Sequence, residues 1–369
     1  MINFIKKLFL VKINGVGFLR ISDRMINELK MPLSKYLIVI VCIVISGAKA
    51  KSQTNFNVTV FGTQTISADQ IREQYSKMLT TLQKEYEANK DAYHLTRKHF
   101  ANQLLKRGDF SYVNVYLLKS YINNISFIID FVERQEAVAR MRFRNLKTLK
   151  LGDPANLIAK WQEYETLSFQ LFKQGEIRDM ECPVYHCIWA FNHPKLQPYL
   201  EYFSKHVPNY EKDLIEILHQ SNVVRYRANA AFLLAHSKVK AQELANVLMP
   251  AINDPESRVR NNVMRVIYYL VRNQKGVKVN LDKVIQALNY PSFTDRNKAL
   301  VILRSLPLYQ VLSKARLKRV LPVLIEILEK KDGHNFRNAH QVLKNISGEK
   351  FTYDDIGSWQ QWIKQELNK

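Results

Sequence analysis

Hydrophobic and polar positions between residues 212 and 348 repeat one pattern four times. Each occurrence contains a short phrase centred on an arginine, with an apolar residue six positions after it. The arginines are Arg227, Arg260, Arg296 and Arg337, and the apolar residues are Leu233, Val266, Ile302 and Leu343. The arginines lie 33, 36 and 41 positions apart, a spacing typical of stacked helical repeats.

Each unit also contains an earlier run in which apolar residues three and four positions apart predict a helix with one apolar face. Turn signals separate this run from the arginine phrase, at Ser221-Asn222, Asp254-Pro255, Pro291-Ser292 and Asp332-Gly333. A single helical hairpin cannot bury its apolar face, so stacking into an α-solenoid is expected. The pattern resembles HEAT-like repeats, with an Asp in the turn and an Arg early in the second helix. We predict these repeats over about 199–347.

The four arginines have two interpretations. They can form a ladder, in which each one pairs with an aspartate or with helix-end carbonyls of the adjoining unit, as HEAT-like repeats commonly do. The aspartates in suitable positions are Asp254, Asp295 and Asp332. The alternative is an anion-binding stripe along the repeats.

The C-terminal segment, residues 348–369, predicts a loop and a final amphipathic helix. Phe351, Trp359 and Trp362 supply a large aromatic area, which suits a cap over the last exposed face of a solenoid. Bacterial HEAT-like proteins often close with a similar segment. An aromatic binding platform is the other interpretation.

The region 51–134 changes period twice and predicts a small α+β module of order β-α-α-β-β. Ser67 and Gln70 have the spacing of a helix capping box. The module resembles a POTRA (polypeptide-transport-associated) domain in three motifs. These are Val58, Val60, Gly62 and Ile66; Gly108-Asp109-Phe110 leading to Val115; and Phe131-Val132-Glu133. The resemblance implies a periplasmic interaction module with a strand edge that can pair with a peptide. A lid over the first helix of the solenoid is the compatible alternative.

Residues 135–198 predict an exposed basic linker, a helix that begins after Asp153-Pro154, and a Cys/His loop. Once a signal peptide is removed, Cys182 and Cys187 are the only cysteines, so a disulfide between them is the first expectation. Together with His186 and His193 they also make a candidate zinc site, although the spacing fits no common zinc module. Nucleophilic catalysis by Cys187 would require an orienting group that the sequence does not display.

The N-terminal segment, residues 1–50, predicts a secretory signal peptide. Leu37 to Ile45 is an unbroken apolar run behind Lys35, and Ala48-Lys49-Ala50 supplies a cleavage site after Ala50. Translation from Met31 would give a signal of ordinary length. The run is shorter than the about 20 residues of a transmembrane helix, and an uncleaved anchor is the competing interpretation.

The formal charge of +22 favours anionic partners. Without residues 1–50 the chain keeps 47 Lys and Arg against 31 Asp and Glu, a net +16. Export makes nucleic acid an unlikely partner, because a periplasmic or secreted protein rarely meets DNA.

The sequence contains no phosphate-cradling glycine loop, Gly-x-Ser-x-Gly elbow or His-Glu-x-x-His motif, and it predicts no cofactor, metal or catalytic residue. We therefore expect an exported, non-enzymatic protein-protein interaction scaffold. The alternatives are an enzyme or enzyme-assembly factor on a HEAT-like scaffold, and a basic solenoid that binds nucleic acid or another anionic polymer.

Overall fold

The computed structural model describes residues 57–88, 90–119, 125–177, 182–308 and 312–368. The described chain is mainly helical, with a small three-stranded sheet near its beginning. The predicted signal region, residues 1–50, lies outside the described residues.

The N-terminal elements follow the order β-α-α-β-β. They are β1 (Asn57–Phe61), α1 (Ala68–Glu87), α2 (Ala92–Leu105), β2 (Phe110–Lys119) and β3 (Ile125–Glu133). Ser67 begins α1 with a complete capping box, in which its hydroxyl accepts from the Gln70 amide and the Gln70 side chain accepts from the Ser67 amide. This satisfies two amides that the first helical turn would otherwise leave unpaired.

The sheet has the strand order β1-β3-β2, with β3 parallel to β1 and antiparallel to β2. Seven of the nine residues of β3 are buried. A strand buried on both faces has a continuous apolar pattern, as β3 does from Phe127 to Val132 apart from Asp130. One face packs on α1 and α2, and the other meets the helices that follow.

Helices make up most of the remaining described residues. They are α3 (Ala137–Arg140), α4 (Leu157–Lys173), α5 (Gln197–His206), α6 (Glu211–Gln220), α7 (Val224–Leu233), α8 (Ala241–Leu248), α9 (Ser257–Asn273), α10 (Leu281–Leu288), α11 (Phe293–Arg304), α12 (Lys314–Glu329), α13 (Asn335–Ser347) and α14 (Ile356–Asn368). Short 3₁₀ turns extend several of them, including Leu234–His236 after α7 and Met249–Asn253 after α8.

From α6 onward consecutive helices pack in pairs: α6 with α7, α8 with α9, α10 with α11, and α12 with α13. The second helices contact one another in sequence order, α7 with α9, α9 with α11, and α11 with α13. One continuous apolar core runs from Leu157 on α4 to Ile363 on α14. Gly348 ends α13 in the left-handed conformation, with φ 76°, which glycine adopts without steric cost.

The last helix, α14, packs on α12. Trp359 is fully buried, and its indole N–H donates to the Thr352 carbonyl at 2.9 Å. Phe351 and Trp362 are half-buried, and both rings lie edge-on to Trp359. The three aromatic residues predicted to cover the end of the chain therefore form one cluster there.

The sheet lies against the turns of the later helix pairs. The Tyr116 hydroxyl lies 3.1 Å from the Ser292 hydroxyl, just before α11. Gly333 lies between α12 and α13. A Cβ atom at this position would lie only 2.9 Å from Leu118 Cδ1 and 3.0 Å from Ile128 Cδ1, which is too close for an ordinary contact. The small glycine therefore lets this turn approach the sheet closely.

Candidate functional site

Three of the four phrase arginines pair with an aspartate of the next helix pair, which lies in the turn (Asp254, Asp332) or in the first turn of the second helix (Asp295). We call these pairs the arginine ladder: Arg227–Asp254 at 3.0 Å, Arg260–Asp295 at 2.7 Å and Arg296–Asp332 at 2.9 Å. All six side chains are buried, and each guanidinium joins one helix pair to the next. Because these arginines are inaccessible and already bonded to carboxylates, they do not present an anion-binding stripe to solvent.

Arg337 differs from the other three. It is exposed and lies 5.6 Å from the Phe336 ring, and within the described residues it has no ion-pair partner. In the described part of the chain α13 is followed by the single helix α14, and no aspartate there lies at ion-pair distance from Arg337. The ladder therefore ends at Arg296.

Arg296 also binds the sheet. Its Nη1 donates to Asp130 Oδ1 of β3 at 2.5 Å, and its guanidinium carbon lies 3.9 Å from the centre of the Phe61 ring. Burial raises the pKa of Asp130 to about 6, although the charge of Arg296 opposes this shift. The ladder and the sheet thus share one fully buried cation.

The segment between the sheet and α4 crosses the turns of three helix pairs; we call residues 139–149 the strap. Arg140 donates to the carbonyls of Phe131 at 2.7 Å and Asn289 at 3.2 Å. Leu149 pairs with the turn after α6, where its amide donates to Gln220 and its carbonyl accepts from Asn222. The expected exposed linker is in fact bonded at both ends.

Arg144 occupies the middle of the strap. Its Nη2 donates to Asp254 at 2.6 Å and to the Leu218 carbonyl at 2.9 Å, and its amide donates to Asn253. Phe143, beside it, lies under the Arg260 guanidinium at 4.6 Å. Basic residues that the sequence assigned to a linker therefore satisfy helix-end carbonyls and one ladder carboxylate.

The Cys/His loop places Cys182 and Cys187 at disulfide-bonding distance, with Cα atoms 5.6 Å apart. The other zinc candidates lie in different surroundings. His186 is buried against Phe232 and Tyr269, whereas His193 lies 3.2 Å from Glu176. No group of three His, Cys, Asp or Glu in the described part of the chain could hold a metal ion.

The loop and α4 together form a shallow cleft of about 530 Å³, the aromatic groove. Phe169 and Trp189 line it, and Phe172 packs against Trp189 with ring centres 4.3 Å apart. Phe169 and Phe172 are 46% and 47% exposed, whereas most other aromatic side chains among the described residues are buried or half-buried. Exposed neighbouring aromatic rings of this kind mark interaction surfaces.

Charged side chains surround the aromatic groove. Lys173 Nζ lies 4.7 Å from the centre of the Phe169 ring, and Arg258 at the start of α9 lies 3.9 Å from Glu165. Burial raises the pKa of Glu165, and the charge of Arg258 opposes that shift. The rim thus carries two cations and one carboxylate.

No protein-family model, curated protein or solved structure matches the chain. In the residues described, no helix has the length and apolarity needed to cross a bilayer.

The groove was missed at the sequence level, although a signal was present. The face of α4 that packs inward carries Leu157, Trp161, Tyr164 and Leu171. Phe169 falls outside that face by helical spacing, so one phenylalanine on the solvent side was visible in the pattern. Phe172, four positions after the buried Ser168, falls at the edge of the inward face, and spacing alone did not predict its exposure. The open groove combines stacking surfaces and charges, which suits binding of an extended, partly apolar ligand.

Proposed function

We propose that the chain is an exported, non-enzymatic scaffold that binds another protein through the aromatic groove. The exposed rings of Phe169 and Phe172 beside Trp189 carry the proposal, because aromatic residues that pack into a partner dominate interface energies. The groove is wide and shallow, which favours a binding surface over an enclosed reaction site.

The architecture proposed for this scaffold is a HEAT-like α-solenoid preceded by a POTRA-like module. The sequential contacts of α7, α9, α11 and α13 support the first assignment, as do the ladder pairs between successive helix pairs. The β-α-α-β-β order supports the second. Docking of the sheet against the later turns also agrees with a lid.

The groove is a better binding surface than the edge of β2. At that edge the Val115 amide already donates to the Asn114 side-chain oxygen at 2.9 Å, and the Val115 carbonyl accepts from Arg97 at 3.4 Å. An added strand would have to displace both side chains.

The expected partner is a protein segment that combines apolar and acidic residues. Lys173 and Arg258 flank the rings, and the chain without residues 1–50 has a net charge of +16. Export is part of the proposal, and the cysteine pair at bonding distance supports an oxidising compartment.

The test compares Phe169→Ser with Leu95→Ser, a matched control whose side chain is 74% exposed on α2, away from the groove. Candidate partners are captured from envelope extract with the wild type and purified. The affinity of each candidate is then measured for the wild type, for Phe169→Ser and for Leu95→Ser. We expect Phe169→Ser to weaken binding of the true partner at least about tenfold, a typical hot-spot loss, and Leu95→Ser to leave it unchanged. Equal affinities for the wild type and Phe169→Ser, or equal losses in both variants, would refute the groove as the interface.

A further inference from the structure

Two cations lie next to each other on neighbouring helices, away from the arginine ladder. Arg265 is on α9 and Lys298 is on α11, and both side chains are partly buried. Within the described residues neither has a carboxylate at ion-pair distance, and Arg265 has no hydrogen-bond partner. The Lys298 ammonium donates only to the Asn297 side chain, at 3.0 Å. Glu165 acts on Arg265 only from beyond ion-pair distance, and its closer cation is Arg258 at 3.9 Å, so the charge of Lys298 in particular has no carboxylate to offset it.

The electrostatics of the pair agree with this description. Burial, together with the neighbouring charge of Arg265, lowers the pKa of Lys298 to about 8. Burial also lowers the pKa of Arg265, while Tyr269 and Glu165 oppose that shift. Removing two like charges from water without a counter-ion is unfavourable, so the folded chain tolerates a cost here that a bound anion would remove.

His186 of the Cys/His loop provides a donor beside the two cations. Its side chain is 2% exposed, its ring centre lies 4.7 Å from that of Tyr269 on α9, and neither ring nitrogen has a hydrogen-bond partner in the described structure. Burial lowers the pKa of His186 to about 3, helped by the charges of Arg265, His236 and Lys298. The imidazole is therefore neutral at pH 7, with one N–H available to donate.

We propose that Arg265, Lys298 and the imidazole N–H of His186 bind a phosphoryl group. The guanidinium supplies a planar fork of donors, the ammonium a mobile point charge, and the imidazole a neutral donor. Arg258 and Glu165 offset each other nearby, which leaves a local charge of +2 from Arg265 and Lys298. A phosphate dianion neutralises this charge, whereas a carboxylate would leave one cation uncompensated.

The site is distinct from the protein interface proposed above. It lies between α9 and α11 and uses none of the aromatic rings that line the groove. The ordinary alternative is a solvated basic face with no specific ligand. A specific site would bind phosphate saturably at constant ionic strength. A diffuse basic surface would not, because it responds to ionic strength and not to the identity of the anion.

The test is calorimetric titration of the purified full chain with inorganic phosphate at pH 7.4, with total ionic strength held constant by sodium chloride. The variants are Lys298→Met and the control Lys318→Met, which removes an exposed lysine from α12. We expect saturable binding to the wild type, about tenfold or weaker binding to Lys298→Met, and unchanged binding to Lys318→Met. Phe169→Ser should bind phosphate like the wild type.

A thermal melt without phosphate gives a second readout. Because Lys298 is an uncompensated cation in the unliganded protein, Lys298→Met should melt at or above the temperature of the wild type. No saturable heat with the wild type, or equal losses in the two lysine variants, overturns the site. A lower melting temperature of Lys298→Met without phosphate overturns the argument that its charge is uncompensated.

Discussion

Arg296 joins three parts of the chain through one guanidinium. It bonds to Asp332 in the turn before α13, bonds to Asp130 of β3, and stacks on Phe61 at the end of β1. Its side chain is 0% exposed, and both carboxylates are also fully buried. Neither aspartate could remain ionised at this depth without the arginine, because a buried charge requires a partner.

Arg296→Met should therefore lower the free energy of unfolding by about 3–5 kcal/mol, since it leaves two buried carboxylates without their shared cation. Urea denaturation followed by circular dichroism measures the change. The control is Arg316→Met, which breaks an exposed pair with Asp282 and should have a far smaller effect. Similar losses in the two variants would show that Arg296 contributes no more than a surface charge.

The sequence predicted part of this residue chemistry. Regular spacing of the arginine phrases pointed to pairs with Asp254, Asp295 and Asp332, because a repeated helix pair repeats its local geometry. Asp130 escaped prediction, since it is 166 positions from Arg296 and no local pattern encodes that approach. The neighbouring cations Arg265 and Lys298 could not be predicted either, because their proximity depends on which helix faces come together.

At the scale of single elements, the strap is the segment whose structure the sequence composition predicted least well. A run of basic residues with few apolar ones normally indicates a solvated linker, and several strap side chains are indeed exposed. The turns beneath it present helix-end carbonyls, which arginines satisfy in place of water. Helices and strands were easier to predict, as the capping box at Ser67 and the period change at Phe110 illustrate.

Arg144→Met should loosen the strap, because it removes the donors to Asp254 and to the Leu218 carbonyl. Thermolysin, which cuts before apolar residues, should then cleave near Leu146 about tenfold faster, as expected when a charged hydrogen bond that opposes local opening is lost. Lys147→Met is the matched control, since Lys147 is an exposed cation on the same segment. Equal cleavage rates in all three proteins would contradict the proposed fastening.

At the scale of the whole molecule, acid stability depends on buried histidines. His236 is buried among Trp161, Phe191 and Phe203, and neither ring nitrogen has a partner within the described residues. Burial lowers the pKa of His236 to about 3, below its ordinary value of 6.5. Between these pH values the unfolded chain binds the proton more readily than the folded chain, so acid favours unfolding.

The stability contributed by neutral His236 is therefore fully present above pH 6.5 and is lost as the pH falls towards 3. His236→Leu should flatten the decline in unfolding free energy over this window, measured by urea denaturation at a series of pH values. The exposed His334→Leu should retain the slope of the wild type. A His236→Leu profile parallel to that of the wild type would count against a depressed pKa.

The long reach of the strap and of Asp130 has a consequence for synthesis on the ribosome. Arg140 bonds to Asn289, which is 149 positions further along the chain, and Asp130 bonds to Arg296 after an even longer interval. The N-terminal sheet and the strap are synthesised first, and their polar groups remain without these hydrogen-bond partners until the later residues have been made. Premature termination before residue 296 would leave a nascent domain with an unpaired acid inside its sheet, a natural target for quality-control proteases.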